Sequence, residues 1–266
     1  MNKLVYFAIS IIVFISCEEA IDVDLQESEP RLVIEATINV LEDGSSNAFV
    51  KLTTTAPFFE SEIPVVSDAI VRMIDDSGMQ FPFTYTEDGF YTSDLIPEEG
   101  VEYTLEVTYE DELYTGTASL MTGASFEFVG QRDDGGFTGK DIELKAYFTD
   151  PLSEDNYYLF EGISEKGVVR DVLDDEFFNG NQIFGFYLVE DLEAGDEVVF
   201  NLYGIDEDTY NFLFILLQQT SDQSDGPFET QPATVRGNIV NRTDADNFPL
   251  GHFRISEVST LSYIVQ

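Results

Sequence analysis

From Pro30 onward the chain is written in short runs that alternate apolar with polar residues and favour Val, Ile, Thr, Tyr and Phe. A period of two with this composition admits β-strands and little else. PRLVIEATI, AFVKLTT, DAIVRMID, MQFPFTYT, VEYTLEVTYE and ELYTGTASLM follow one another up to Met121. Between them stand Glu42-Asp43-Gly44, Asp76-Ser77-Gly78, Glu87-Asp88-Gly89 and Pro97-Glu98-Glu99-Gly100, all rich in turn formers. About seven strands in about ninety residues predict an immunoglobulin-like β-sandwich over residues 30–121. The cysteine pair and Trp of antibody domains are missing, since the chain has one Cys and no Trp, so the expectation concerns architecture only.

Met121-Thr122-Gly123 marks a boundary, and residues 122–266 read as a second β-rich, sandwich-like domain. Its strands are SFEFVG, DIELKAYFTD, NYYLFEGI, KGVVRDVL, NQIFGFYLV, DEVVFNLYGI, ATVRGNIV, HFRISEVS and LSYIVQ, with longer loops around Asp133–Gly136 and Asp174–Glu176. One segment breaks the period. DEDTYNFLFILLQQTSDQ opens with acids and continues in good helix formers, which predicts a helix over 206–220 with Asp206, Glu207 and Asp208 at its positive end. Its broad apolar side predicts substantial burial.

The N-terminus reads MNKLVYFAISIIVFISC. One Lys followed by an apolar run from Leu4 to Ile15 is too short for a bilayer, which needs ~20 residues, and suits a secretory h-region. Ser16 precedes Cys17, the one cysteine of the chain. The pattern resembles a bacterial lipoprotein signal: residues 1–16 are removed, and Cys17 takes acyl chains of the palmitate kind and becomes the new N-terminus. The competing reading is a buried structural Cys beside an ordinary signal peptide. Each buried CH₂ contributes ~0.8 kcal/mol, so several chains make a stable anchor. Residues 17–29 then form an acidic tether; EEAIDVDLQESE carries six acids and no base.

Charge narrows the classes of function. The chain has 52 Asp+Glu against 12 Lys+Arg, a formal net charge of −40, spread over both halves. A nucleic-acid binder needs cations to displace phosphate counterions, so that class is excluded. At 43% hydrophobic and 14% aromatic residues, the chain can nonetheless build cores, which argues against disorder. A single Cys and a single His leave disulfide frameworks and structural zinc sites without ligands. The acidity is either an adaptation of a salt-adapted or marine proteome or a dedicated cation-binding feature.

Few constellations carry chemistry. GGFTGK at 135–140 is one residue short of a phosphate loop, and Asp141 stands where Ser or Thr would hold magnesium. No GxSxG elbow occurs; His252 sits at a strand start, where a surface or strand-edge imidazole is favoured over a Ser-His-Asp site. Two carboxylates ~5–9 Å apart would suffice for a glycosidase, but 52 acids do not single out a pair. Asp75-Asp76, Asp133-Asp134, Asp174-Asp175 and Asp244 with Asp246 read as solvated turns; a Ca²⁺ site is the alternative, although none repeats an EF-hand loop. Tyr85, Tyr91, Tyr103, Tyr109 and Tyr114 read as strand tyrosines in core or cross-strand packing. Asn241-Arg242-Thr243 fits a glycosylation sequon that means little in a bacterial lipoprotein. The loops after residue 130 and around 171–181 are the longest polar interruptions and the expected place for binding.

CEEAIDVDL with PRLVIEATI, then SDAIVRMIDDSG, DGFYTSD, VEYTLEVTYEDELYTGTASLM, DPLSEDNYYLFEG, FFNGN, YNFLFILL and ATVRGNIVNRTDADNFPLGHFRIS, resemble domain-of-unknown-function family 4249, outer-membrane lipoproteins of Bacteroidota. The resemblance covers nearly the whole mature chain, and its motifs are mostly structural. It implies a non-enzymatic accessory or ligand-capturing partner of a TonB-dependent transporter in nutrient uptake. Glu18 and Glu19 resemble the export signal of lipoproteins displayed on the outer face. A carboxylate-based envelope hydrolase and an adhesion or scaffold lipoprotein are the alternatives. Cys17→Ser is expected to abolish metabolic labelling with a palmitate analogue and to leave an uncleaved precursor; undiminished labelling would reject the anchor.

Overall fold

The computed structural model describes residues 29–266 except 58–59, 61, 137–138, 153–154 and 221–233. The signal peptide of residues 1–16, Cys17, Glu18, Glu19 and nearly all of the tether thus lie outside the described residues.

Seven strands precede Thr122: β1 (Leu32–Leu41), β2 (Ser46–Thr54), β3 (Ile70–Asp75), β4 (Gln80–Tyr85), β5 (Phe90–Ser93), β6 (Glu102–Tyr109) and β7 (Glu112–Met121). Alternation decides their orientation: Leu32, Ile34, Ala36 and Ile38 of β1 and Ala48, Val50 and Leu52 of β2 are all buried. The turns are held by their own acids. Asp75 Oδ1 accepts from Ser77 N (2.9 Å), Ser77 Oγ (2.6 Å) and Met79 N (2.9 Å), which holds its carboxyl below the ordinary aspartate range.

The immunoglobulin-like sandwich expected for these strands is not what they form. They pair in the order β1-β2-β5-β4-β3-β6-β7, and the ring is closed by β15 (Leu250–Ile264), which runs parallel to both β1 and β7. The result is an eight-stranded barrel. Closure removes the two open edges that a seven-stranded arrangement would leave unpaired. The interior is packed with Ile34, Val50, Met73, Leu105, Val107 and Phe253, each at most 0–1% exposed. β14 (Ile239–Asn241) pairs with β7 at Tyr114–Gly116, earlier along β7 than its pairing with β15 at Leu120 and Met121.

The second lobe contains β8 (Phe126–Gly135), β9 (Asp141–Thr149), β10 (Tyr157–Ser164), β11 (Gly167–Asp174), β12 (Gln182–Leu188) and β13 (Glu197–Ile205). One sheet has the order β12-β9-β8; the other runs β11-β10-β13 and continues into β15. Leu144, Ala146 and Phe148 of the first face Tyr158, Phe160, Phe200 and Leu202 of the second in one core. Close approach explains one glycine: a Cβ on Gly185 would occupy the ring of Phe160. The loop expected around Asp133–Gly136 is instead mostly strand, since β8 extends to Gly135 through an irregularity after Arg132.

The helix α1 (Glu207–Thr220) follows β13. Asp206 caps it, accepting Thr209 N at 2.7 Å. Tyr210, Leu213 and Leu217 pack on Leu159, Val172 and Tyr203 of the outer face of the four-stranded sheet. The burial expected for α1 is only partial: Phe214, Ile215 and Leu216 remain exposed to solvent among the described residues. One sheet face can cover only one side of a helix.

The chain enters the second lobe after Met121 and then returns, so the C-terminal part of the expected domain 122–266 is shared. Leu250 to Val258 pair with β1, whereas Val258 to Ile264 pair with β13. Gly251 lies at φ +98° against the backbone of Ile34, where any side chain would collide. At the joint, Arg254 lies over the Tyr203 ring (4.6 Å) and donates to Asn39 Oδ1 (3.0 Å) and Ser256 Oγ (2.9 Å). Tyr203 in turn donates to Glu161 Oε2 (2.8 Å), and Glu161 Oε1 takes Arg170 Nε at 2.6 Å. A strand common to both cores predicts one cooperative unfolding transition. Phe253→Ala in the barrel and Phe200→Ala in the second lobe should each cost about 3–5 kcal/mol and lower the same calorimetric peak. Two resolved peaks, each moved by one variant alone, would contradict this.

Candidate functional site

His252 is the third residue of β15 and lies beneath the first turns of α1. Its ring stacks on Phe212 (4.6 Å between centroids, 18°), and Nε2 is 2.8 Å from Thr209 Oγ1. It is therefore a half-buried imidazole covered by α1, more enclosed than the surface or edge group expected. Burial holds its pKa down at about 4, with Arg254 adding to the depression and Asp206 and Asp208 opposing it. Nδ1 is buried without a hydrogen-bond partner. A Ser-His-Asp site needs a carboxylate at that nitrogen to orient and charge the ring. The ring borders a cavity of about 420 Å³ between α1 and residues 234–238, lined by Asp208, Asn211, Phe212, Ile215 and Arg236 among others.

The loop expected at 171–181 is strand as far as Asp174; residues 175–181 form the true connection to β12. It is braced from beneath. Asp150, 2% exposed, accepts Tyr158 Oη–H at 2.6 Å and Gly180 N at 2.9 Å. Asp175 accepts Asn179 Nδ2 at 3.0 Å, and its own N–H donates to Asn156 O. Burial and the Asp150 carboxylate push the Tyr158 hydroxyl pKa well above the ordinary tyrosine value. Thus Asp150, Asn156 and Tyr158 are hydrogen-bonded into a network that includes the FFNGN segment, distant in sequence. Leu152 and Phe177 beside it are 74% and 88% exposed.

The 241–249 loop is likewise anchored. Glu112 Oε2 accepts from Asn241 Nδ2 (3.0 Å), Asn247 Nδ2 (2.7 Å) and Tyr114 Oη (2.5 Å). Asn241, the sequon residue, is buried, and its Oδ1 caps Thr243 N and Asp244 N. Phe248 is sandwiched between the guanidiniums of Arg31 (3.9 Å) and Arg236 (3.6 Å). Of the five tyrosines singled out by their strand positions, Tyr91, Tyr103 and Tyr114 are buried, Tyr109 packs half-buried against the same core, and Tyr85, more exposed, meets Tyr91 across strands at 5.4 Å.

A different surface was not legible in the sequence. The outer face of β8-β9-β12 carries a row of aromatic side chains paired in register: Phe128 with Tyr147 and Tyr147 with Phe184. Phe128 and Tyr147 stack at 4.6 Å and 16°, and Phe184 meets Tyr147 edge-on at 5.4 Å. Phe186 lies two residues further along β12 on the same face, and Lys145 Nζ sits 4.6 Å from the Phe184 centroid. Phe128, Phe184 and Phe186 are 48%, 39% and 40% exposed. On one flank Glu127 accepts Thr149 Oγ1 (2.6 Å) and Gln182 Nε2 (2.5 Å); on the other Lys145 pairs with Glu143 at 3.0 Å and Arg132 with Asp134 at 2.8 Å.

Among the described residues, acids border further cavities. Asp171, held by burial above the usual carboxylate range, lines a cavity beside Phe214 and Leu217 with no second acid in its wall. Glu42 and Glu257 border another cavity, where Glu42 accepts Ser259 Oγ and Glu257 accepts Gly123 N. Among the described residues no three His, Cys, Asp or Glu side chains are gathered to hold a metal ion, and no helix is long and apolar enough to cross a membrane. Asp75, Asp133, Asp174 and Asp244 instead accept hydrogen bonds from nearby turn or side-chain groups.

The barrel and the second lobe together define a mainly β protein, and among the described residues its exposed features include anchored loops and an aromatic sheet face. Residues 18–262 match the family described as Domain of unknown function (DUF4249), and the chain belongs to it. No curated protein matches. Among solved structures, a two-fibronectin type-III domain segment of chicken tenascin is similar at 16% identity, covering 66% of this chain and 91% of that one, with a TM-score of 0.22. A DUF4785 family protein of Legionella pneumophila is similar at 12%, covering 68% and 54%, with a TM-score of 0.25.

As the sole histidine, His252 gives an isolated NMR signal. Its ring protons should titrate with a midpoint near pH 4 in the folded protein. Because the folded state disfavours the proton, the group leaves stability intact above its unfolded pKa of about 6.5 and erodes it as pH falls from there toward 4. A midpoint near 6.5 would show the ring to be solvated.

Proposed function

We propose that this protein is a lipid-anchored outer-membrane lipoprotein facing the cell exterior, a non-enzymatic accessory that captures a ligand for, or caps, a TonB-dependent transporter. The observation that carries the reading is the direction of two strands. The acidic tether leads into β1, and β15 runs parallel to β1 from the level of Val33 before continuing into the second lobe. At about 3.3 Å per residue, its fifteen residues extend roughly 45–50 Å. An acylated Cys17 would then hold the barrel at the membrane and place the second lobe, with its aromatic face and braced 175–181 loop, away from it.

The filled barrel interior supports binding on outer faces and loops over passage through the middle. The even acidity suits a solvated ectodomain that anionic headgroups repel. The hydrolase alternative needs two carboxylates in one cavity. Asp171 lines its cavity without a second acid, and Glu42 and Glu257, which share another, are engaged by Ser259 Oγ and Gly123 N. Affinity purification of the lipidated protein from detergent-solubilised outer membranes is expected to recover a β-barrel transporter with it. Recovery of the lipoprotein alone would overturn the transporter role.

A further inference from the structure

We propose that the aromatic row on the outer face of β8-β9-β12 is a binding platform for neutral oligosaccharide, an assignment that rests on the ligand-capturing reading above and names its ligand class. Three large apolar rings held at roughly two-fifths to half exposure on the two strands that flank β9 cost hydration that a packed core would have spared. They are also preorganised. Tyr147 is fixed between Phe128 and Phe184 by strand register and ring contact, and Phe184 is further held by Lys145. Such rings offer C–H-rich sugar faces a contact that needs little side-chain ordering.

Charge selects the ligand. The chain as a whole carries 52 acids against 12 bases, but the basic groups on this face are matched locally by Glu143 and Asp134. Glu127 spends both carboxylate oxygens on Thr149 and Gln182. An anionic ligand approaching this patch would feel the field of the whole acidic molecule, and a second copy of the chain would bring −40 toward −40. The local pairing of Lys145 with Glu143 and of Arg132 with Asp134 leaves few unpaired acids on this face for a cationic partner to recognise. A neutral polyhydroxylated chain meets none of these penalties. Thr149, Gln182 and Glu127 on one flank and Lys145 and Glu143 on the other supply donors and acceptors for its hydroxyls.

The test is affinity electrophoresis of the detergent-solubilised, lipidated protein through gels carrying separately a mixed-linkage β-glucan, a xylan, a galactomannan and the anionic polygalacturonate. Retardation by at least one neutral polysaccharide and not by polygalacturonate is expected. Phe184→Leu and Phe128→Leu, which keep apolar bulk and remove the ring, should weaken it about tenfold or more at an unchanged melting temperature. No retardation by any neutral polymer, retardation by polygalacturonate alone, or retardation unaltered in both variants would each overturn the assignment. So would a dimer in sedimentation that Phe184→Leu dissolves, since the face would then belong to a second copy. Failure here is separable from failure of the accessory role: a protein that co-purifies with a transporter yet runs unretarded refutes the glycan platform alone. A retarded protein without a barrel partner refutes the transporter role alone.

Discussion

The structure depends on one strand satisfying hydrogen bonds in two places. Leu250 to Val258 close the barrel between β1 and β7, and the continuation to Ile264 forms an edge of the second lobe's larger sheet. Without β15 the barrel would expose two edges, and β13 would lose one of its two partners. A single extended segment cannot turn freely about a hinge while both halves are laddered, so the lobes are coupled by backbone and not by a linker. Arg254 sits where the two ladders meet, and burial holds its pKa below the ordinary arginine value. Its hydrogen bonds to Asn39 and Ser256 and its place over Tyr203 compensate the charge that this joint removes from water.

An excess of acid of this size has to be accommodated residue by residue. Much of it is used to make turns: Asp43, Asp75 and Asp174 accept backbone N–H groups that no strand could satisfy. Two acids go further inward. Asp150 accepts Gly180 N and Asp175 donates its N–H to Asn156 O, so the loop before β12 is held by hydrogen bonds to both ends of the segment between β9 and β10. The same logic explains the lone histidine. Covered by α1 and stacked on Phe212, it stays neutral because burial disfavours its charged form more than Asp206 and Asp208 favour it.

Some of this was open to reading along the chain. Most strands appear where alternation places them, but HFRISEVS and LSYIVQ are one strand, ATVRGNIV contributes only the start of β14, and β5 lies outside the alternating runs. The helix α1 begins where three acids precede a helix-forming run, with Asp206 as its cap. The barrel was not readable, because its closing contact joins residue 33 to residue 250 and leaves no local trace in either segment. Nor was the aromatic face. In NQIFGFYLV both alternate sets are apolar, Ile183 and Tyr187 against Phe184 and Phe186, so period alone does not say which set points inward. Gly185 settles it, and only because the Phe160 ring from the opposite sheet occupies the space of its missing side chain.

By itself, then, the sequence determined that the chain is β-rich with one helix, that it bends at acid-rich turns, and which family it resembles. Those properties follow from local periodicity, turn chemistry and composition, which act within a few residues. Tertiary structure alone decided that the first seven strands close as a barrel and not as a sandwich, that His252 is covered by α1, and that a line of phenylalanines faces solvent. Each of these depends on which distant segment reaches a given edge or face first, and a chain's local pattern carries no record of that.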